Sequence, residues 1–407
     1  MILDSHCTCF TLCNGFFLSM IPMQNILGQY SEFMESNITD RFIKHPQVLR
    51  LIEALPSVFS SAIAGYSKEG RSIHLIHIGR GSEKIMLWSQ MHGDEATGTM
   101  AMFDLLNYIG NQVDPGFIEE LLSRCTLYFV PMLNPDGAER FSRRNAQQID
   151  INRDYNQRNS PEARILIDLQ ERIKPDFGFN LHDQSTLWSV TCSRKPATLS
   201  FLAPAYNAVL DTDETRRKAM QVIASIYAQL DGHLPGQIGL FDDAHEPRAF
   251  GDNFQARGTS TILIEAGGLV GDIEKQEIRK YYFLSLLEGL SVIASGDYAG
   301  QSTTGYFSIP PNTKEIFHIL IKDTAFQDMQ VSIGLNYTEI LGEQGLEYDY
   351  LVEDIGDLSV WSAYETYTGA KLRVSGDLVF NEPANFDLLQ GDEIILSFKN
   401  GKLQSKQ

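Results

Sequence analysis

Three short apolar runs, each leading into a residue that can bind a metal or move a proton, constrain this chain most. Lys84 to Trp88 leads into Met91-His92-Gly93-Asp94-Glu95, Asp176 to Leu181 into His182, and Thr259 to Ile264 into Glu265 and two glycines. Short apolar runs rich in β-branched residues and bounded by turn residues read as buried strands. Helical patterns separate them. Met100, Phe103, Leu106 and Ile109 share one face over Thr97 to Ile109, and Ser160-Pro161 caps a helix reaching about Ile173. Asp213 to Leu230 and Ile273 to Ile293 are helical as well. Strands interleaved with helices at this spacing imply an α/β sandwich.

Further strand candidates are Ser72 to Ile78, joined to Lys84–Trp88 by the turn Gly79-Arg80-Gly81, then Cys125 to Met132 and Trp188 to Cys192. After about Gly300 the helical period disappears. Gly305 to Ile309, Ile316 to Ile321, Met329 to Leu335, Lys371 to Val379 and Glu393 to Lys399 read as strands between Gly, Pro and Asn turns. The expectation is a first domain over 24–300 and a small all-β domain over 301–407. Residues 1–23 form an N-terminal extension. Its apolar stretch has no basic flank, since the first Lys or Arg is Arg41, and Asn14, Gly15 and Pro22 interrupt it. It reads neither as a signal peptide nor as a membrane span. Three of the five cysteines (Cys7, Cys9, Cys13) fall there, leaving only Cys125 and Cys192 in the body. That is no disulfide framework, and a cytoplasmic location is expected. A formal net charge of -19 argues against nucleic acid and against an anionic membrane surface as partners.

The residues themselves suggest metal chemistry. His92 and Glu95, three apart at a strand-to-helix turn, can point at one ion, and His182 at another strand end supplies a third donor. A catalytic zinc takes three N and O ligands and keeps one position open. A carboxylate such as Glu265, at the end of an apolar strand, is unusual unless it is paired or functional. Each residue also has an ordinary reading: a surface His and Glu, a satisfied core histidine, a buried ion pair.

The ordered series of motifs resolves the choice. His92-Gly93-Asp94-Glu95, Asn134-Pro135-Asp136-Gly137, Arg143-x-Asn145, Asp150-x-Asn152-Arg153, Leu181-His182 and Ile264-Glu265-Ala266-Gly267-Gly268 fall in this order over roughly residues 60–295. The series resembles the zinc metallocarboxypeptidases of the funnelin type. The resemblance implies an α/β/α sandwich around a mixed twisted sheet, with the site at strand ends. It implies one zinc per chain on His92, Glu95 and His182, with Glu265 as general base and acid. Arg143 would polarise the scissile carbonyl, Asn152 and Arg153 would grip a terminal carboxylate, and Asp150 would accept a hydrogen bond from the non-ligating nitrogen of His92. An Arg beside an Asn suits a carboxylate, because the guanidinium binds it in a planar fork.

Three positions depart from the family pattern. Gln148 stands where the family usually has Gly, and Asp154 where it has Asn. The segment Gly239 to Glu246 contains no counterpart of the family's substrate-capping tyrosine, and His245 is the candidate stand-in. The all-β segment stands where a small transthyretin-like domain follows some carboxypeptidases, and an accessory role is expected for it. The leading expectation is an exopeptidase acting on a peptide with a free carboxylate. The alternative is a zinc amidase or deacylase taking N-acyl amino acids or peptidoglycan stem peptides. A non-catalytic binding module on the same fold is a third, from a different class.

Overall fold

The computed structural model describes residues 23–342 and 345–406. The extension over 1–23 and its three cysteines lie outside the described residues, apart from Met23. After helices α1 (Met23–Phe33) and α2 (His45–Glu53) come strands β1 (Ser60–Tyr66), β2 (Ser72–Gly79) and β3 (Glu83–Trp88). Helices α3 (Thr97–Gly110) and α4 (Pro115–Arg124) lead to β4 (Cys125–Val130) and the short α5 (Pro135–Glu139). Helix α6 (Pro161–Ile173) precedes β5 (Phe177–Asp183), the two-residue β6 (Ser189–Val190) and β7 (Leu199–Leu202). Helix α7 (Glu214–Leu230), β8 (Ile238–Leu240), α8 (Phe250–Ala256), β9 (Ser260–Ala266) and α9 (Gln276–Ser295) complete the unit.

Eight of these strands form one mixed sheet in the order β1-β2-β4-β3-β5-β9-β7-β8. The central strands β4, β3, β5 and β9 are parallel, with antiparallel neighbours on both sides. Parallel strands need cover on both faces. Residues of α3, α7 and α9 (Met100, Phe103, Ile223, Leu286) cover one face against Ile85, Leu87, Phe179 and Ile262. Leu166 of α6 with Phe250 and Phe254 of α8 covers the other against Met86 and Trp88. This is the expected α/β/α sandwich. Truncating a ring such as Phe179 or Phe254 to Ala should cost about 3 to 5 kcal/mol. The turn after β2 requires glycine: Gly79 has φ 100°, and a Cβ there would lie 2.3 Å from the Cys125 carbonyl oxygen. A buried bidentate pair ties α9 to α3 and α1, with Arg279 Nε 2.8 Å from Asp104 Oδ2 and Tyr30 donating to the same carboxylate at 2.6 Å.

Two expected strands are corrected. Gly305 to Ile309 is instead a short helix, α10 (Thr303–Phe307), started by Ser302, whose side chain accepts from the Thr304 N–H. Tyr306 of α10 is buried in the core of the first unit, and its hydroxyl accepts from the Ala203 N–H at 3.1 Å. Of Trp188 to Cys192 only β6 is strand, because Cys192 turns into left-handed backbone with φ 69°. Its partner is β10 (Asn312–Thr313). Residues 303–313 therefore pack on the α/β unit, and the second sheet opens only at β11 (Ile316–Phe326). It continues through β12 (Met329–Gly342), β13 (Gly345–Gly356), β14 (Ser362–Tyr367) and β15 (Leu372–Asp377). The last three strands are β16 (Asn385–Gln390), β17 (Glu393–Lys399) and β18 (Lys402–Lys406). Inward residues such as Ile321, Ile333, Leu335, Phe386 and Leu396 give this sheet its own core.

The second sheet is seated on the loop that follows β5. The Tyr364 hydroxyl donates to the Thr186 carbonyl at 2.6 Å. His318 accepts the Tyr337 N–H at Nδ1 (3.0 Å), so Nε2 carries the proton and donates to Thr186 Oγ1 (2.9 Å). Burial pushes the His318 imidazole down to about 3, which keeps it neutral. Among the described residues no helix is long and apolar enough to cross a membrane.

Candidate active site

Strand register builds the site. β5 and β9 run side by side with His182 and Glu265 as Cα partners, which sets a candidate ligand beside a candidate base. β3 lies parallel on the other side of β5, and the chain leaves it through Gln90, in left-handed backbone at φ 44°, toward His92. The two glycine-containing motifs support each other here. A Cβ on Gly93 would fall 2.0 Å from the Gly137 carbonyl carbon, so the turns of residues 92–95 and 134–137 touch backbone to backbone. Asn134 fixes that contact, accepting from the Gly137 N–H at 2.9 Å and donating to the Met91 carbonyl at 3.3 Å.

His92, Glu95 and His182 are buried and offer one ligand atom each, all within 4.8 Å of one another. His92 Nδ1 faces Glu95 Oε1 at 2.6 Å, and His182 Nδ1 faces Glu95 Oε2 at 2.7 Å. The far nitrogen of His92, Nε2, is 3.1 Å from Asp150 Oδ1, so Nδ1 is the atom left for an ion. Burial alone would raise the Glu95 carboxyl, but His92 and His182 more than offset that and hold it well below the usual range. Burial lowers His182, favouring the neutral imidazole that a metal needs. Asp150 is likewise held well down: burial opposes this, but the His92 hydrogen bond and the charges of His92, Arg143 and Arg153 outweigh it. Two imidazole nitrogens and a carboxylate converging at a strand edge fit zinc, whose catalytic sites use this donor set.

Glu265 is 8% exposed, and its Oε2 has no hydrogen-bond partner. Burial first, then Glu95 and Asp183, push its carboxyl well above the usual range. A cation beside it would oppose that shift. Tyr282 of α9 steadies the strand edge, donating to the Ile264 carbonyl at 2.8 Å. Arg143 reaches into the site, with Nη1 3.2 Å from Glu95 Oε1 and Nε 3.1 Å from Asp150 Oδ2.

A cavity of about 390 Å³ runs from these residues to Asn152 and Arg153. The Asn152 Oδ1 accepts the Phe250 N–H at 2.9 Å, which turns its amide NH₂ outward as a donor. Arg153 pairs with neither Asp150 nor Asp154. Its Nε lies 3.2 Å from Glu246 Oε2. Glu246 also takes two bonds from the Arg248 side chain, at 2.8 and 2.6 Å. Those bonds lead the drop of its carboxyl to about 2. Glu246 thus sets a carboxylate against Arg153 in the cavity wall, a contact that no local pattern of residues signals.

The departures from the family pattern find local explanations. Gln148 adopts φ 62°, the backbone that glycine favours, in a turn that Asn145 holds by accepting the Gln147 and Ile149 N–H groups. Asp154 accepts from the Ser160 N–H at 2.7 Å and the Ser160 hydroxyl at 2.8 Å, bracing the start of α6. His245, the candidate stand-in for the capping tyrosine, is held by the Ala205 carbonyl and Asp252, and Phe241, Asp242, Ala244 and Glu246 line the cavity instead. The pair Lys275–Asp183, 2.9 Å apart and buried beside the site, also escaped notice in the sequence.

The zinc carboxypeptidase family profile matches residues 47–236, which carry His92, Glu95, Arg143, Asp150, Asn152, Arg153 and His182, whereas the cavity residues from Phe241 onward, Glu265 among them, lie beyond it. That match covers a little under half of the chain. Carboxypeptidase 2 of Trichophyton tonsurans is 27% identical over 127 residues, 29% of this chain and 23% of that protein. Carboxypeptidase D of Drosophila melanogaster is 28% identical over 125 residues, 26% of this chain and 9% of that protein. The match thus spans about a quarter or less of these relatives. In fold the chain is similar to a metallo-carboxypeptidase from Burkholderia cenocepacia, with TM-score 0.50 and 16% identity over 62% of this chain and 69% of that one. Carboxypeptidase A from Helicoverpa armigera gives TM-score 0.50 and 16% identity over 69% of this chain and 82% of that one.

Proposed function

We propose that the chain is a zinc-dependent carboxypeptidase removing one residue from a peptide's free C-terminus. The observation that carries this reading is the line His92–Glu95–His182, then Glu265, then Asn152 and Arg153, along one cavity. His92 and His182 through Nδ1 and Glu95 through its carboxylate would hold zinc, which when bound lowers the pKa of a water toward about 7 and polarises a carbonyl. Asn152 and Arg153 bind and orient the terminal carboxylate, which places the last peptide bond beside Glu265. Glu265 takes a proton from the attacking water at its partnerless Oε2 and hands it to the leaving amine. Arg143 stabilises the negative charge that develops on the scissile carbonyl oxygen. Asp150 keeps the proton of His92 on Nε2 and so leaves Nδ1 as donor.

The test is mass spectrometry of a peptide panel and a set of N-acyl amino acids after incubation with the zinc-loaded protein. Stepwise loss of single C-terminal residues is expected. Cleavage of acyl amino acids with peptides left intact would assign the site to the amidase reading, and internal cleavage would exclude an exopeptidase.

A further inference from the structure

The cleft continues past the metal site, away from Asn152 and Arg153. A second cavity of about 390 Å³ shares Glu95, Arg143, Asp183 and Gln184 with the first and extends to Lys275, His318 and Tyr337. It opens in turn into an inner chamber of about 260 Å³ through Thr186, Lys275, His318 and Tyr337. One wall of that chamber is the loop after Glu265, with Leu269, Val270 and Ile273. The facing wall is the C-terminal sheet, with Tyr337, Tyr348, Tyr350 and Tyr364.

Three observations say what the chamber is shaped to take. Val270 and Ile273 are 59% and 55% exposed, a marked exposure for large aliphatic side chains beside an active site. The tyrosine rings are fixed: Tyr337 stacks on neutral His318 at 3.5 Å and meets the edge of Tyr348 at 4.7 Å. The charges around the chamber are spoken for, Arg41 by Glu339, Lys275 by Asp183, Glu365 by Lys406 and Asp272 by the Gln276 and Ile278 N–H groups. What it offers is ring faces and methyl groups. The two walls are also built together, since a Cβ on Gly268 would fall 1.8 Å from the Tyr364 hydroxyl oxygen.

We infer that the C-terminal sheet is part of the substrate site: Tyr337, Tyr348 and Tyr364, with Leu269, Val270 and Ile273, take an apolar or aromatic side chain of the peptide on the acyl side of the scissile bond. The direction follows from continuity. The carboxylate end lies in the first cavity, the metal ligands lie between, and the chamber lies beyond them. The inference rests on the carboxypeptidase reading for the identity of the ligand.

The experiment uses N-acetyl pentapeptides with one fixed C-terminal residue, carrying Phe or Asp in turn at each upstream position. The zinc-loaded wild type should favour Phe at one upstream position by about tenfold in kcat/KM, the scale of burying part of an aromatic side chain. Tyr337→Ala should bring that ratio to within about twofold of unity, and Tyr337→Phe, which keeps the ring face, should restore it. A wild type indifferent at every upstream position, or a preference that survives Tyr337→Ala, overturns the inference. Calorimetric binding of the Phe peptide to Glu265→Gln protein gives a readout independent of turnover. Tyr337→Ala in that background should weaken binding about tenfold, and equal affinity overturns the chamber. If the peptide binds through Tyr337 while the zinc-loaded wild type releases no amino acid, the chamber stands and the carboxypeptidase reading falls.

Discussion

Arg153 is the residue whose role is most open to a quantitative test. In the free protein it faces Glu246 at 3.2 Å, and the two side chains are 37% and 26% exposed. An ion pair that open to water is worth about 0 to 1 kcal/mol. Glu246 has a second partner in Arg248, so a substrate carboxylate can displace it from Arg153 without leaving it unpaired. Truncating one partner of a hydrogen-bonded charge pair in a binding site costs about 2 to 5 kcal/mol. Arg153→Ala should therefore lower kcat/KM by about 30-fold or more for peptides with a free carboxylate, 30-fold being about 2 kcal/mol. Amidating the C-terminus should cost the wild type a similar factor, and the two losses should not add, because they remove the same interaction. Glu246→Gln should move KM the other way, lowering it by up to about fivefold, the ceiling set by the pair it breaks. The assay is steady-state hydrolysis of acid and amide forms by all three proteins. An undiminished preference for the acid form in Arg153→Ala would refute the reasoning.

Two further predictions concern metal and pH. Elemental analysis should find about one zinc per chain, lost in His92→Ala and in His182→Ala; full occupancy in both variants would remove the site. Burial, then Asp297, raises Glu288 on α9 from 4.5 to about 7. A carboxyl raised in the folded state weakens folding as pH climbs from about 4.5 to 7 and leaves a constant penalty above that. Glu288→Gln should therefore stabilise the protein by roughly 1 to 3 kcal/mol at pH 8 and by nothing at pH 4, read from denaturant unfolding at both values.

The sequence disclosed the parts of this molecule that local pattern controls. β3, β5 and β9 were visible as apolar runs because both faces of a central parallel strand are buried. The site residues at their ends were visible because the motifs recur in a fixed order. What escaped depends on contacts distant in sequence. Glu246 meets Arg153, far from it in chain order, only through the fold. Tyr337 and Tyr364 look like ordinary strand tyrosines until β12 and β14 are placed on either side of β11. Gly305 to Ile309 misled because Tyr306 and Phe307 favour strands, whereas the Ser302 cap and the burial of Tyr306 in the first core make α10. Gln148 broke an expected glycine pattern yet kept the glycine backbone, held by the side chain of Asn145.

The most direct test of the central claim is the turnover of zinc-replete Glu265→Gln. The substitution keeps the size of a buried side chain that is not among the three proposed ligands. It removes the carboxylate whose Oε2 stands free beside them. Full zinc, an unchanged fold and a kcat lower by about 10² to 10⁴, the usual contribution of a general base, are expected. Near-native turnover in a zinc-replete, folded variant would contradict that role.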